Sequence, residues 1–473
     1  MRQAHTRRQF LASAAAGAAA LALPRAAWPR VEADNGFATF HSEPSLKPPT
    51  MTVNARTAPS PGYVFVTTLT GPGQRGPMIV DDAGRVVWFR RTSEVAIDFR
   101  VQRYRGKPVL TWWEGTIDPR GYGRGVGLVV DRSYRTVATV RAGNGYAADV
   151  HELLLTPQGT ALITVYDEKT ADLSSVGGPS SHSVLDSIVQ EVDVASGKVL
   201  FEWHSLDHVP FADSFSPILD PFDYFHVNSI DVDLDGNLIV SARNTWGVYK
   251  LDRKTGAVLW TLGGRSSDFT LPADAVFMYQ HDARAHADGT ITLFDDGNGS
   301  AEHPARAIRI GYDLTTRQVT LLQQYPHPKP LLVAAMGNAQ VLPDDGMFVG
   351  WGTQPYVTEF GPLGDVRWDA SFDGGAWNYR AFRNTWTGRP ATRPALAVKG
   401  RTAYVSWNGS TETAWWRLAA GAAEHLLAPV ATARATPFET AIPLHGSPRW
   451  ISATALDARK RPLASSRTIR VHP

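Results

Sequence analysis

Two histidines and two asparagines recur at one distance from a turn. His151 stands eight residues before Gly159 and His281 eight before Gly289; the same count back from Gly236 and Gly346 reaches Asn228 and Asn338. In a weaker copy, eight residues before Gly106 is Asp98. A third histidine, His226, lies two positions ahead of Asn228 in "FHVNSIDVDLDGN". Seven residues after the same glycines come Tyr166, Arg243, Asp296 and Thr353, with Trp113 in the weaker copy. Residues equally far from a hairpin turn lie opposite each other, and alternate residues share a face. Two polar rings at one height are therefore expected, with His226 and Asn228 on the same face. Packing alone would place Val, Ile or Leu there, as it does in the intervening "LLL" and "LIV".

Imidazoles near neutral pKa, an amide and a guanidinium suit transfer of an anionic group. A neutral histidine can act as nucleophile, a second can move a proton, and Arg with Asn can bind oxyanions. Three histidines can also hold zinc, although Arg243 beside them would repel a cation. A propeller that only binds a ligand or serves as a scaffold is a third reading, and a metal-dependent hydrolase or lyase is the reading zinc would bring. No GxxxxGK[ST] loop occurs, so no nucleotide-type donor is indicated. The aspartates of "VDLDGN" lack the spacing and distal Glu of a calcium loop and read as turn formers. His182, His204, His208, His286, His303 and His327 fall off the turn count and read as surface or loop residues.

The elements that must position these residues are short strands. "IDVDLDGNLIVSARNTWGVYKLDRKTGAVLWTLGG" shows the unit most clearly: alternating strands separated by DG and TG turns. Such strands pair antiparallel through hairpins. The unit recurs six times at roughly 40 to 60 residues, the length of a propeller blade. The expectation is an all-β chain with a six-bladed β-propeller over 61–389, closed by strand material near 377–386. After Pro390 the rhythm changes, and 390–473 reads as a small C-terminal β-sandwich with a fibronectin- or immunoglobulin-like look.

Residues 1–30 read as a Tat-type signal peptide: Arg7-Arg8 ahead of an Ala-rich apolar run and A-x-A cleavage sites. Residues 31–60 read as a linker. The expected location is outside the cytoplasm after passage through the Tat export machinery: secreted, cell-surface or periplasmic, and not an integral membrane protein. The chain has no cysteine, which excludes disulfides, thiolate metal sites and Cys nucleophiles. A formal net charge of +2 without a basic stripe gives no sign of nucleic-acid binding.

Over roughly 61–389 the chain resembles the bacterial arylsulfotransferases, nucleotide-independent enzymes that move a sulfuryl group between phenols. The likeness rests on His151-Glu152 before a QG turn, on His226-Val227-Asn228 with Arg243 after the next strand, on Gln280-His281-Asp282, and on "GNAQVLPDDGMFVGWG". It implies a six-bladed propeller and a ping-pong cycle through a sulfohistidine at His281, with no metal or nucleotide cofactor. It further implies that His151, His226, Asn228 and Arg243 line the pocket, with Thr353 as a further pocket residue. Asn338, Tyr166 and Asp296 join the expected substrate-binding set through the turn count alone. The partners implied are an aryl sulfate donor and a phenolic acceptor. Two departures stand out: some members carry a disulfide, which this chain cannot form, and residues 390–473 do not map onto the better-known periplasmic members.

Overall fold

The computed structural model describes residues 36–471, so the Tat-type leader expected over 1–30 lies outside the described residues. Among those residues there is no α-helix, only strands and short 3-10 turns such as Ser205–Asp207. Six antiparallel sheets of four or five strands occupy the chain up to Asn384. Each is a meander of adjacent hairpins, as in Val227–Val232, Leu238–Ala242, Gly247–Leu251 and Val258–Leu262. The turn between the first two of these shows why Gly is needed: Gly236 has φ 82° and its N–H donates to the Asp233 carbonyl at 2.9 Å. The aspartates of this turn do more than shape backbone, because Lys250 bridges Asp233 and Asp235 at 2.6 and 2.7 Å.

The sheets follow one another in a cycle. The strand at one end of each sheet touches strands of the next: Val95–Tyr104 meets Leu153–Leu155, Val227–Val232 meets His281–Ala285, and His281–Ala285 meets Asn338–Val341. Phe382–Asn384 pairs antiparallel with Tyr63–Thr67, Tyr63 opposite Asn384, so the first sheet takes its end strand from late in the chain. Apolar layers fill the gaps between neighbouring sheets. Ile239, Val248 and Leu262 pack on Ile291, Leu293 and Ile308, and Phe65, Ile79 and Trp88 on Phe99 and Trp112. Each buried side chain of this kind contributes about 1.5–3 kcal/mol.

Residues 31–60, expected as a linker, are not all linker. Met51–Arg56 forms a fifth strand on the sheet of Asn338–Phe372, with Met51 opposite Phe372. Further on, two antiparallel sheets share one apolar cluster around Trp407, Trp416, Leu418 and Ile451. The Ser42 hydroxyl donates to Glu439 of this region, and the Asn408 amide bonds both backbone groups of Phe89.

Where the end strands converge, the filling is ionic. Glu152 receives Arg100, Arg284 (2.6 Å) and Arg380 (3.4 Å), and Asp98 and Asp282 complete a set of three carboxylates and three guanidiniums. Arg380 and Glu152 have fully buried side chains. Burial raises the Glu152 carboxyl, but Arg284, Arg380 and Arg100 together outweigh it and hold the group well below the usual carboxylate range. The same guanidiniums stitch strands from different sheets: Arg284 donates to the Ile230 carbonyl, Arg100 to Leu153 and Arg380 to Asn228, each at 2.8 Å. Removing one member of such a set leaves uncompensated buried charge at a cost of about 3–5 kcal/mol. Arg380→Met is therefore expected to lose stability of that order in chemical denaturation; a loss under about 1 kcal/mol would contradict this role.

Candidate active site

The residues that carry the site sit one position ahead of the ionic set. His151 precedes Glu152, His281 precedes Asp282 and Tyr379 precedes Arg380. The end strands are irregular here, with register shifts between Ile97 and Arg100, Val227 and Ser229, and His281 and Arg284. Asp98, His226 and Asp282 all have φ between 57° and 59°. These bulges break the alternation on which the shared face of His226 and Asn228 was expected. The His226 ring turns to His151, their centroids 4.8 Å apart, while the Asn228 amide crosses to the Gln280 carbonyl at 2.7 Å. The Asn228 side-chain oxygen is buried without a partner.

Each of the three histidines has a carboxylate at Nδ1. His151 Nδ1 lies 2.6 Å from Asp149, His226 Nδ1 lies 2.5 Å from Asp223, and His281 Nδ1 lies 2.7 Å from Asp296. The first two are hydrogen bonds; in the third the N–H points off the line to the carboxylate, so the pair is close but unbonded. Asp149 is held by three further donors: the N–H groups of Gly123 and His151 and the Thr164 hydroxyl. Burial raises Asp149, and the His151 charge with these hydrogen bonds brings it below its ordinary value.

Burial is also the leading influence on the other rings. It lowers His226 against the opposing pull of Asp223, with His151 and Arg243 adding to the lowering. It lowers His281 well below the ordinary histidine value, reinforced by Arg243, His226, His151 and Arg380. It raises Asp296 well above the usual carboxylate value, against Arg243. His281 is therefore neutral near pH 7. Its Nε2 accepts the Met336 N–H at 3.3 Å, which leaves Nδ1 as the protonated nitrogen facing Asp296.

Arg243 donates to the Asn244 side chain and to the Ala334 carbonyl, both at 3.0 Å, with Nε unpartnered. Thr353 joins the same segment, its hydroxyl accepting the Ala334 N–H at 2.9 Å. Ala334 to Met336 thus lie across Arg243, Thr353 and His281, and His151, His226 and His281 are at most 8 % exposed. The structure brings together six of the expected residues here: His151, His226, His281, Arg243, Asn228 and Thr353.

Two expected substrate contacts are otherwise engaged, while the third, Asp296, approaches His281 Nδ1 at 2.7 Å with neither carboxylate oxygen hydrogen-bonded. Asn338 spends both ends of its amide on the backbone of Ala381, at 2.8 Å each, which ties two end strands together. Tyr166 donates its hydroxyl to the Val227 carbonyl at 2.8 Å and presents only its ring to His151 and His226. Asp296 lies behind His281. Asp98, reached by the same turn count, belongs to the ionic set, and Trp113 donates to the Ala148 carbonyl at 3.0 Å. Nor is His327 a surface residue: it is 5 % exposed, 3.3 Å from Asp369 and packed on Trp351 and Tyr356. Sequence reasoning missed Asp149 and Asp223, whose only signal is a carboxylate two or three residues ahead of a histidine.

Among the described residues no three His, Asp or Glu side chains gather in a way that could hold a metal ion. No helix of the described residues is long and apolar enough to cross a membrane. A cavity of about 290 Å³ lies beyond the ionic set, lined by Arg100, Asp231, Asp282, Arg284 and His286, and none of the three site histidines reaches it.

An all-β scaffold whose converging strands bury three histidine–carboxylate pairs beside one guanidinium is built for chemistry on an anionic group. The model of the arylsulfotransferase (ASST) family matches residues 100–373, and the chain belongs to that family. Membership makes it a sulfotransferase acting on small aryl molecules. No curated protein matches the chain. Solved structures similar to it include a Bacteroides caccae protein of unknown function, 13% identical, with TM-score 0.42, covering 68% of this chain and 98% of that one. A catalytically inactive virginiamycin B lyase from Staphylococcus aureus with quinupristin is 9% identical, with TM-score 0.35, over 76% and 97% of the two chains. At these TM-scores the likenesses bear on neither fold nor function.

The pairing of His226 with Asp223 has a testable consequence. Asp223 is the charge that raises the His226 pKa, so Asp223→Asn should move it further below the ordinary value of 6.5. Titration of the ring proton by NMR checks this; a variant whose His226 titrates higher than in the wild type would contradict it.

Proposed function

We propose that the protein transfers a sulfuryl group from an aryl sulfate ester to an acceptor phenol by a ping-pong route through His281, without a nucleotide donor. The observation that carries this reading is the state of His281: neutral, protonated at Nδ1 on the side of Asp296, with its Nε2 lone pair held by the Met336 N–H at 3.3 Å, a bond that the incoming sulfur replaces. Nε2 attacks sulfur, the sulfur–oxygen bond to the aryl group breaks, and the departing phenolate takes a proton from His226 or His151. The acceptor hydroxyl gives its proton back to that histidine as its oxygen attacks sulfur, and the nitrogen–sulfur bond breaks. Arg243 meets the sulfuryl oxygens through its unpartnered Nε, and Asn228 through the second N–H of the Nδ2 whose first is given to the Gln280 carbonyl.

In this reading the six cyclic sheets are the six blades of a β-propeller over 61–389, and residues 390–473 are a β-sandwich appended to it. The Tat leader and a location outside the cytoplasm belong to the same proposal, supported by Arg7-Arg8 and the apolar run that follows.

Turnover of 4-nitrophenyl sulfate with phenol as acceptor tests the reading. His281→Ala should lower the rate to background, a loss of at least about 10³-fold. His182→Ala, which removes only an exposed hydrogen bond to the Leu219 carbonyl, should stay near the wild-type rate. A fully active His281→Ala protein would overturn the assignment.

A further inference from the structure

Beside Arg243 lies an aromatic cluster that the transfer chemistry does not use. The Arg243 guanidinium sits over the Tyr279 ring, 4.7 Å from its centroid. Tyr279 meets Trp246 edge-on, at 5.2 Å and 71°, so the two rings form a corner. Phe215 stacks on Trp246 at 3.7 Å with 3° between the planes, and the exposed Arg265 covers Phe215 at 4.2 Å.

Three observations set this corner apart from ordinary core. Trp246 Nε1 and the Tyr279 hydroxyl are both buried without a hydrogen-bond partner, although the residues are only 5 % and 7 % exposed. Buried donors are almost always satisfied, so two orphans in contacting residues point to an acceptor that binds there. Trp246 and Tyr279 each have φ 52°, a left-handed conformation that costs a bulky side chain energy and that packing alone does not call for. Finally, the near-parallel, centred stack of Phe215 on Trp246 is the arrangement aromatic pairs favour least. Phe215 is only half-buried and lies on the connection from His204 to Val227, held by its N–H to the Asn244 carbonyl at 2.7 Å.

We propose that the Trp246–Tyr279 corner is the subsite for the aromatic ring of the phenolic substrates, with Phe215 as a stand-in that the ring displaces. This deepens the sulfotransferase reading and rests on it for the identity of the ligand as a phenol or phenyl ester. The incoming ring stacks on Trp246 in place of Phe215. The Tyr279 hydroxyl, on the ring that stands across Trp246, donates to an acceptor carried by the incoming ring, while Arg243, stacked on Tyr279, faces the ester. The preferred substrates are then phenols bearing a second oxygen acceptor, and alkyl sulfates are poor ones.

The test is calorimetric titration of the full-length protein with 4-nitrophenol, phenol and cyclohexanol, using wild type, Tyr279→Phe, Trp246→Leu and Phe215→Ala. The wild type is expected to bind 4-nitrophenol most tightly and cyclohexanol least. Loss of a hydrogen bond or an aromatic stack corresponds to roughly a five- to tenfold change in affinity. Tyr279→Phe should therefore weaken 4-nitrophenol about fivefold and leave phenol nearly unchanged. Trp246→Leu should weaken both about tenfold, and Phe215→Ala should tighten both about threefold by removing the competitor. The opposite sign for Phe215→Ala is the discriminating result, because a purely structural cluster would weaken binding in all three variants. Should Trp246→Leu fail to fold, the isosteric Tyr279→Phe and the half-buried Phe215→Ala carry the test. Absence of phenol binding by the wild type, weaker binding in Phe215→Ala, or unchanged 4-nitrophenol affinity in Tyr279→Phe would each overturn the subsite. Binding requires no transfer, so the expected pattern without sulfuryl transfer would sink the enzymatic reading and leave the subsite standing.

Discussion

Charge neutrality in a buried centre is the constraint on which this structure turns. The end strands of several sheets converge where a small apolar plug would serve, yet the chain places three carboxylates and three guanidiniums there. An unpaired member would be very costly in such surroundings, so the set must be complete and closely fitted. Glu152 alone receives three arginines that come from separate segments of the chain. Arg380, two residues ahead of the strand that closes the first sheet, reaches back to Asp98, Glu152 and Asp282. The fit of the ionic set thereby fixes the height and rotation of the strands that carry it. His151 and His281, each one residue ahead of a member, inherit that placement.

The histidines themselves are tuned by a simpler arrangement. A carboxylate lies at each Nδ1, and burial with a nearby guanidinium lowers His226 and keeps His281 uncharged. Arg243 forms no ion pair among the described residues and so supplies positive charge at the site, which is the electrostatics an anionic group requires. Arg243 and Thr353 also hold Ala334 in place from its two backbone groups.

Much of this was legible in the sequence, because a hairpin turn is a local signal and its distance to the site is short. Counting from Gly159, Gly236 and Gly289 reached His151, Asn228, Arg243 and His281. The count erred where backbone left the regular pleat. Bulges at Asn228 and beside His281 invalidated the two-residue period, so a shared face for His226 and Asn228 did not follow. Asn338 satisfied the index but serves the backbone of Ala381, since a polar residue at a strand crossing can be structural as readily as functional. The ionic set was invisible for another reason: its members lie 282 residues apart in the chain, and only closure of the first sheet by 382–384 brings Arg380 to Asp98. Asp149 and Asp223 sit on irregular segments with no period to mark them.

The central claim is that one histidine carries the group between donor and acceptor. The most direct measurement is to mix the protein with an aryl sulfate in the absence of any acceptor, quench, and locate the modification by intact mass and peptide mapping. The account predicts one sulfuryl group per chain, on His281, discharged when phenol is added. A group found on His151 or His226, or a chain that releases phenol from the donor while never carrying the group, would contradict it.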